Sequence, residues 1–283
     1  MSKQTPAEPE LIDLLHLGRP KVIGAWQVGE VIVDPGPSSC LDTLLPSLEG
    51  RPPRVLALTH VHLDHAGASG SLLRRFPGTE VWVHERGAPH LIDPAKLLES
   101  ASRLYGEQMG TLWGEVLPVP RERIRTLVGG ESLGQFRVAY TPGHASHHVS
   151  YLHDPTRRAF TGDVTGVRIG GGPVLAPTPP PDIDLEAWRG SLDVIEGWRP
   201  RSLATTHFGA YDDVADHLAD LRIQLEVTEA MARELDETAF ASLVRARVAS
   251  SQLSERAAYE QAMPPEQSFQ GLARYLRGRE RTA

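Results

Sequence analysis

Between residues 60 and 65 the chain reads His60-Val61-His62-Leu63-Asp64-His65, four metal-capable side chains in six positions. The segment follows RVLALTH (54–60), a continuous apolar run of the kind that forms a strand covered on both faces. A turn after such a strand can aim alternate side chains at one cavity. His60 and His62 could then bind one cation while Asp64 and His65 reach a neighbouring one. Imidazole with carboxylate suits zinc, iron or manganese.

Four ligands do not complete two sites, and three more candidates each close a strand-like segment. His144 ends Thr141-Pro142-Gly143-His144, Asp163 ends Phe160-Thr161-Gly162-Asp163, and His207 ends SLATTH. Five histidines and two aspartates give each of two metals four protein ligands if one aspartate bridges. No serine or cysteine lies in a Gly-x-Ser-x-Gly elbow, so the chemistry expected is metal-assisted hydrolysis. Two dications can acidify a shared water and polarise a carbonyl. Asp64 is the expected acid–base residue beside its role as ligand.

The elements that must position these residues follow from apolar periodicity and breakers. Residues 1–10 are polar and read as a tail; 11–34 read as a β-meander, and 42–48 as a short helix. A helix is expected at 66–76, a strand at 80–84, and amphipathic helices over 86–115, with Leu97, Leu98, Leu104, Met109 and Leu112 among polar neighbours. Strands are expected at 123–128, 134–140, 148–153, 158–162 and 201–206, with a helix at 185–197. The Gly/Pro-rich 166–184 must be a long loop. From Val214 an apolar stripe (Leu218, Leu221, Leu225, Thr228, Ala232, Leu235) steps by fours and threes, suiting core packing or a dimer seam. The helical character continues to the end, broken at Pro264-Pro265. This makes an α/β layered domain over 11–211 followed by a helical extension at 212–283.

The cluster, with the later TPGH, FTGD and TH, resembles the metallo-β-lactamase superfamily of αββα metallohydrolases over about residues 11–211. The resemblance implies that His60, His62 and His144 hold one metal, Asp64, His65 and His207 the second, and that Asp163 bridges. VDPG (33–36) is similar to the family's early Asp-Gly motif, which makes Asp34 a support for a ligand imidazole. The implied cofactors are two divalent ions, zinc before manganese or iron. The glyoxalase II branch shares the seven ligands and a C-terminal helical region, and implies an ester, thioester or lactone substrate. The Gly-Arg-x-Phe-Glu-Gly stretch expected after the bridging aspartate in that branch is replaced here by the Gly/Pro loop. Two alternatives stand beside it. One is an acyl-homoserine lactonase, although no tyrosine lies between Asp163 and His207. The other is a mononuclear iron persulfide dioxygenase using His60, His144 and Asp163.

Composition trims the field. With 29 Lys and Arg against 36 Asp and Glu, the net charge of −7 does not suit a phosphate-binding groove, so nucleic acid is not an expected partner. No apolar run reaches the roughly 20 residues of a membrane helix, and MSKQTPAEPE has no apolar signal region; a cytoplasmic protein acting on a small acyl substrate is expected, with a homodimer as an option. One cysteine, Cys40, excludes a multi-thiolate zinc site. Arg168, on the long loop, is a candidate for meeting a substrate carboxylate. His147 and His148 are expected to be structural and His84 to lie at the surface. Trp113, Trp188 and Trp198 are expected as core anchors.

Overall fold

The structure, a computed structural model, describes residues 8–48 and 50–281. Most of the polar tail expected at 1–10 lies outside the described residues, and Glu10 already opens the first strand. The first sheet runs in the order β1 (Glu10–Asp13), β2 (Gly24–Val28), β3 (Val31–Val33), β4 (Val55–Ala57), β5 (Glu80–His84), β6 (Ile124–Leu127). Its first three strands pair antiparallel, as a meander must, and β3 to β6 pair parallel. The second sheet contains β7 (Ser132–Leu133), β8 (Phe136–Tyr140), β9 (Val149–His153), β10 (Arg158–Gly162), β11 (Ser202–Thr205) and β12 (Gly209–Tyr211), in reverse chain order across the sheet. Only β10 and β11 pair parallel there, and their register shifts between Phe160 and Gly162.

Strand side chains alternate between faces, and both faces of these sheets are buried. Trp26, Val33, Ala57, Trp82, Phe136, Val138, Tyr151 and Phe160 meet between the sheets. Their sequence neighbours Ala25, Ile32, Leu56 and Val81 join a second core with helical side chains. The helices supplying it include α1 (Leu41–Ser47), α2 (Leu63–Ala66), α3 (Ser69–Arg75), α7 (Leu185–Gly197) and α8 (Val214–Glu234). The result is helix–sheet–sheet–helix layering. Asp184 starts α7 by accepting hydrogen bonds from the backbone N–H groups of Glu186 and Ala187 at 3.1 and 3.0 Å.

Between β5 and β6 stand α4 (Ala88–Ile92), α5 (Ala95–Tyr105) and α6 (Met109–Trp113). After α8 come α9 (Glu237–Arg247), α10 (Leu253–Ala262) and α11 (Pro265–Glu280), the last two separated at the expected proline pair. The stripe on α8 is spent inside the chain: Leu218, Leu221 and Leu225 are fully buried. Among the described residues no helix is long and apolar enough to cross a membrane.

The apolar run 54–60 is strand only over 55–57. Beyond it the backbone is shared between the sheets. Leu58 donates its N–H to the Trp82 carbonyl (2.9 Å), while the Thr59 carbonyl accepts from Val149 N–H (2.8 Å). The chain leaves the sheet just where the ligand-rich segment begins.

Gly271 on α11 marks where the C-terminal helices meet the long loop. A Cβ at this position would lie 1.9 Å from the Thr178 carbonyl oxygen. Gly271→Ala should therefore cost about 1–3 kcal/mol through forced separation. Gly278→Ala on the same helix meets nothing within 4 Å and should be neutral or stabilising by up to about 1 kcal/mol. Chemical denaturation of the two variants checks both.

Candidate metal centre

The ligand-type side chains come from the ends of elements. His60 and His62 lie on the segment leaving β4, and Asp64 and His65 on the single turn of α2. His144 lies in the β8–β9 turn, Asp163 just past β10, and His207 just past β11. Gly143 lets His144 approach. Its φ is +140°, and a Cβ there would be 2.3 Å from the Trp188 Cβ. The structure brings all seven together in three overlapping groups: His60, His62 and His144; His60, His65 and Asp163; Asp64, His65 and His207.

Fixed acceptors set the imidazole tautomers. The Thr59 hydroxyl donates to Asp34 Oδ2 (2.7 Å) and so accepts from His60 Nδ1–H (3.1 Å). His65 Nδ1–H donates to Asp34 Oδ2 (2.9 Å), His144 Nδ1–H to the Pro177 carbonyl (2.9 Å), and His207 Nδ1–H to the Val22 carbonyl (2.5 Å). Each of these four rings therefore points Nε2 inward. His62 alone presents Nδ1, 3.0 Å from both His60 Nε2 and His144 Nε2. Asp163 faces both halves: Oδ1 is 3.2 Å from His65 Nε2 and 3.6 Å from His207 Nε2, and Oδ2 is 3.4 Å from His144 Nε2. Asp64 Oδ2 lies 3.3 Å from His207 Nε2.

These atoms fit a cation. His65 Nε2, His207 Nε2 and Asp163 Oδ1 are buried with no hydrogen-bond partner, an expense that proteins avoid unless something else satisfies them. Burial, aided by the neighbouring imidazoles, holds His60 well below the usual histidine range, and holds His62 down at about 3. Burial likewise lowers His144, against the pull of Asp163. All three are neutral and ready to ligate. For His65 and His207 burial also opposes charge, but Asp163 and Asp64 outweigh it, and both are raised.

Asp34 supports the site as the VDPG motif suggests. Besides His65 and the Thr59 hydroxyl it accepts from Thr59 N–H (2.8 Å) and the Thr206 hydroxyl (3.0 Å). Its own φ is +49°, a conformation that aspartate tolerates better than most residues.

A cavity of about 520 Å³ opens over the centre. Asp64, His62, His144 and Asp163 form its floor, and its walls come from α5 and α6, residues 177–182 and the α10–α11 turn. Several sequence expectations differ from this arrangement. Arg168 does not line the cavity; its guanidinium is held by Asp213 at 2.8 Å and lies over the Tyr211 ring at 4.5 Å. His84 is buried rather than at the surface and stacks on Tyr140 at 4.4 Å. Trp113 is buried but also walls the cavity, stacked on His16 at 5.5 Å. Trp188 is a core anchor, fully buried, whereas Trp198 is partly exposed. His148 is buried and hydrogen-bonds the Thr141 hydroxyl through Nδ1 (2.9 Å), while His147 reaches the cavity beside His62.

Sequence reading missed His16, Tyr105 and Gln261, all of which line the cavity. His16 hydrogen-bonds the Leu112 carbonyl through Nε2 (2.8 Å) and accepts at Nδ1 from the Gln261 amide (2.9 Å). Nothing in LLHL signals that role, because its partners lie 96 and 245 residues away.

Fold and site together define a metallohydrolase class. Residues 29–207 match the metallo-beta-lactamase superfamily, and the chain belongs to it. It is 31% identical over 181 residues to the metallo-beta-lactamase fold-containing protein ST1585 of Sulfurisphaera tokodaii, covering 61% of this chain and 67% of that one. The solved structure of ST1585 superposes with a TM-score of 0.70 at 24% identity, over 94% of this chain and 98% of the other. A hydroxyacylglutathione hydrolase, GloC of Haemophilus influenzae, is 32% identical over 111 residues, 39% of this chain and 49% of the relative. The chain thus spans about half the length of that relative. TTHA1623, solved in a di-iron-bound form, shares the fold at a TM-score of 0.55 and 24% identity, over 79% of this chain and 97% of that one.

Two outcomes are expected of the centre. Asp34→Ala should weaken metal affinity roughly 10–100-fold, read by competition with a chromophoric chelator, and should also lower stability in chemical denaturation, because four buried donors lose their acceptor. Because His65 and His207 carry raised pKa values in the metal-free site, loading must displace protons. Affinity should therefore rise with pH across the neutral range, by on the order of tenfold per unit for each proton released. An affinity independent of pH would contradict the assigned ligands.

Proposed function

We propose that the chain is a dinuclear metal-dependent hydrolase acting on a small ester, thioester or lactone. The observation that carries this reading is Asp163, whose two oxygens face different imidazole groups, Oδ1 towards His65 and His207 and Oδ2 towards His144. That is the disposition of a bridging carboxylate. His60, His62 and His144 would hold one ion and Asp64, His65 and His207 the other. A donor set of imidazole and carboxylate accepts zinc, manganese or iron, and zinc is the proposed native pair.

When bound, the metals supply an acidified water and polarise the substrate carbonyl. The protein's own contribution is placement and proton handling. Asp64 is the more open of the two carboxylates, its side chain 21% exposed against 6% for Asp163, and it lines the cavity. Burial raises its pKa, but His65 and His207 outweigh that and keep it ionised. Ionised, it can serve as a ligand, and its place at the cavity suits it to orient the attacking water and relay a proton to the leaving group. Asp34, Pro177 and Val22 hold the rings so that little reorientation is needed. The hydroxyacylglutathione hydrolase relative supports a thioester, and the full second group of ligands favours this reading over a mononuclear iron oxygenase.

Elemental analysis of the purified protein should find about two divalent ions per chain, with thioester hydrolysis lost on chelation and regained on metal return. Asp163→Ala should lose at least one ion and most turnover while circular dichroism is unchanged. A variant keeping both ions and full activity, or a wild type with one iron and O₂ uptake on thiol or persulfide substrates, would overturn the assignment.

A further inference from the structure

Three stretches of the lining of the cavity over the metal centre are apolar. On α5, Leu97, Ala101 and Leu104 recur at helical spacing and face the cavity. The main packing partners of α5 are its chain neighbours, the turn at 106–108 and the helices α4 and α6. Ala101 joins the helical core and Leu97 packs against it, yet with Leu104 both also present apolar surface to the cavity. Opposite stand Met263 and Pro264, at the turn between α10 and α11. The third side is Pro177, Pro179, Pro180 and Pro181. Proline has no backbone N–H, so this stretch can offer a peptide or carboxylate almost no donors.

The charged groups at the cavity do not make up an anion site. Arg86 is engaged by Tyr140, donating to its hydroxyl at 3.0 Å with the guanidinium 5.7 Å from the ring centre. Asp182, held by the Ser146 hydroxyl at 2.5 Å, adds a negative charge to the same rim. Lys96 is exposed at the first turn of α5. Lys96, Ser100, Gln108 and Gln267 also line the cavity, so polar groups for a leaving group stand beside the apolar stretches that an acyl group would meet.

From this juxtaposition of apolar α5, the Met263-Pro264 turn and the proline stretch, we propose that the cavity takes an apolar acyl chain of several carbons, and that Leu97, Leu104 and Met263 set the preference. The substrate class is then an acyl thioester or ester with a hydrocarbon acyl group rather than a hydroxyacyl group. The proposal rests on the hydrolase reading for its turnover, and on the walls alone for its binding.

The test uses the metal-loaded full chain with N-acetylcysteamine thioesters of acetyl, butanoyl, hexanoyl and octanoyl groups, whose leaving group is uncharged, and with S-lactoylglutathione. Each buried methylene should raise kcat/KM roughly 3–4-fold, so hexanoyl should exceed acetyl by well over about tenfold and exceed S-lactoylglutathione as well. Leu104→Glu should flatten the series with metal content and melting temperature unchanged. A flat series, or S-lactoylglutathione as the best substrate, overturns the acyl-chain proposal and leaves the hydrolase standing. No turnover of any thioester, or of the matching aryl esters and lactones, by the two-metal protein sinks the hydrolase instead. In that case calorimetry with S-alkyl N-acetylcysteamine thioethers decides the cavity's preference. Affinity climbing with chain length in the wild type and level in Leu104→Glu upholds it, and affinity indifferent to length refutes it.

Discussion

The carboxylate of Asp34 sits at the end of β3, 1% exposed, and accepts hydrogen bonds from Thr59 N–H, the Thr59 and Thr206 hydroxyls and His65 Nδ1–H. Those donors belong to the segment leaving β4, to α2 and to the chain past β11. One buried anion thus joins strand ends from both sheets at the edge where the ligands converge. A buried carboxylate is tolerable only when its lone pairs are filled, and here filling them requires that both sheets be in register. The metal centre and the sandwich consequently depend on the same four hydrogen bonds, two of which also orient His60 and His65.

Around that fixed floor the cavity is walled by helices and turns that supply none of the seven ligand-type side chains. The helices between β5 and β6 supply one wall and the α10–α11 turn another, and His16 links them. It touches Leu112 on one side and Gln261 on the other while stacking on Trp113. The division separates two physical tasks. Holding cations demands a few polar atoms placed to a fraction of an ångström, which strand ends do well. Choosing a substrate demands a shaped surface, which helices supply and which can change without disturbing the ligands.

The two tasks also differ in how readily a sequence shows them. His60, His62, Asp64 and His65 stand out because few side chains bind a cation, and each later ligand closes its own apolar strand. Asp34 is readable from its turn with Pro35 and Gly36. The helix from Val214 follows from its apolar stripe. The apolar run at 54–60 reads as one strand, yet only 55–57 is strand, because Leu58 and Thr59 divide their hydrogen bonds between the two sheets. Arg168 looks available on its loop, but Asp213 and Tyr211 claim it from 43 or more residues away. Apolar wall residues such as Leu104 and Met263 carry no local mark, since burial against a core and exposure to a cavity use the same residue types.

His207 is the last of the seven ligand-type residues along the chain, and it precedes every residue of α10 and α11. During synthesis the full set of coordinating atoms leaves the ribosome before the segment that encloses one side of the cleft. Cation capture and pocket closure are thereby separable in time: the centre can form in an open basin, and the turn at Met263-Pro264 then roofs it from one side once the final helices dock through Gln261 and Gly271.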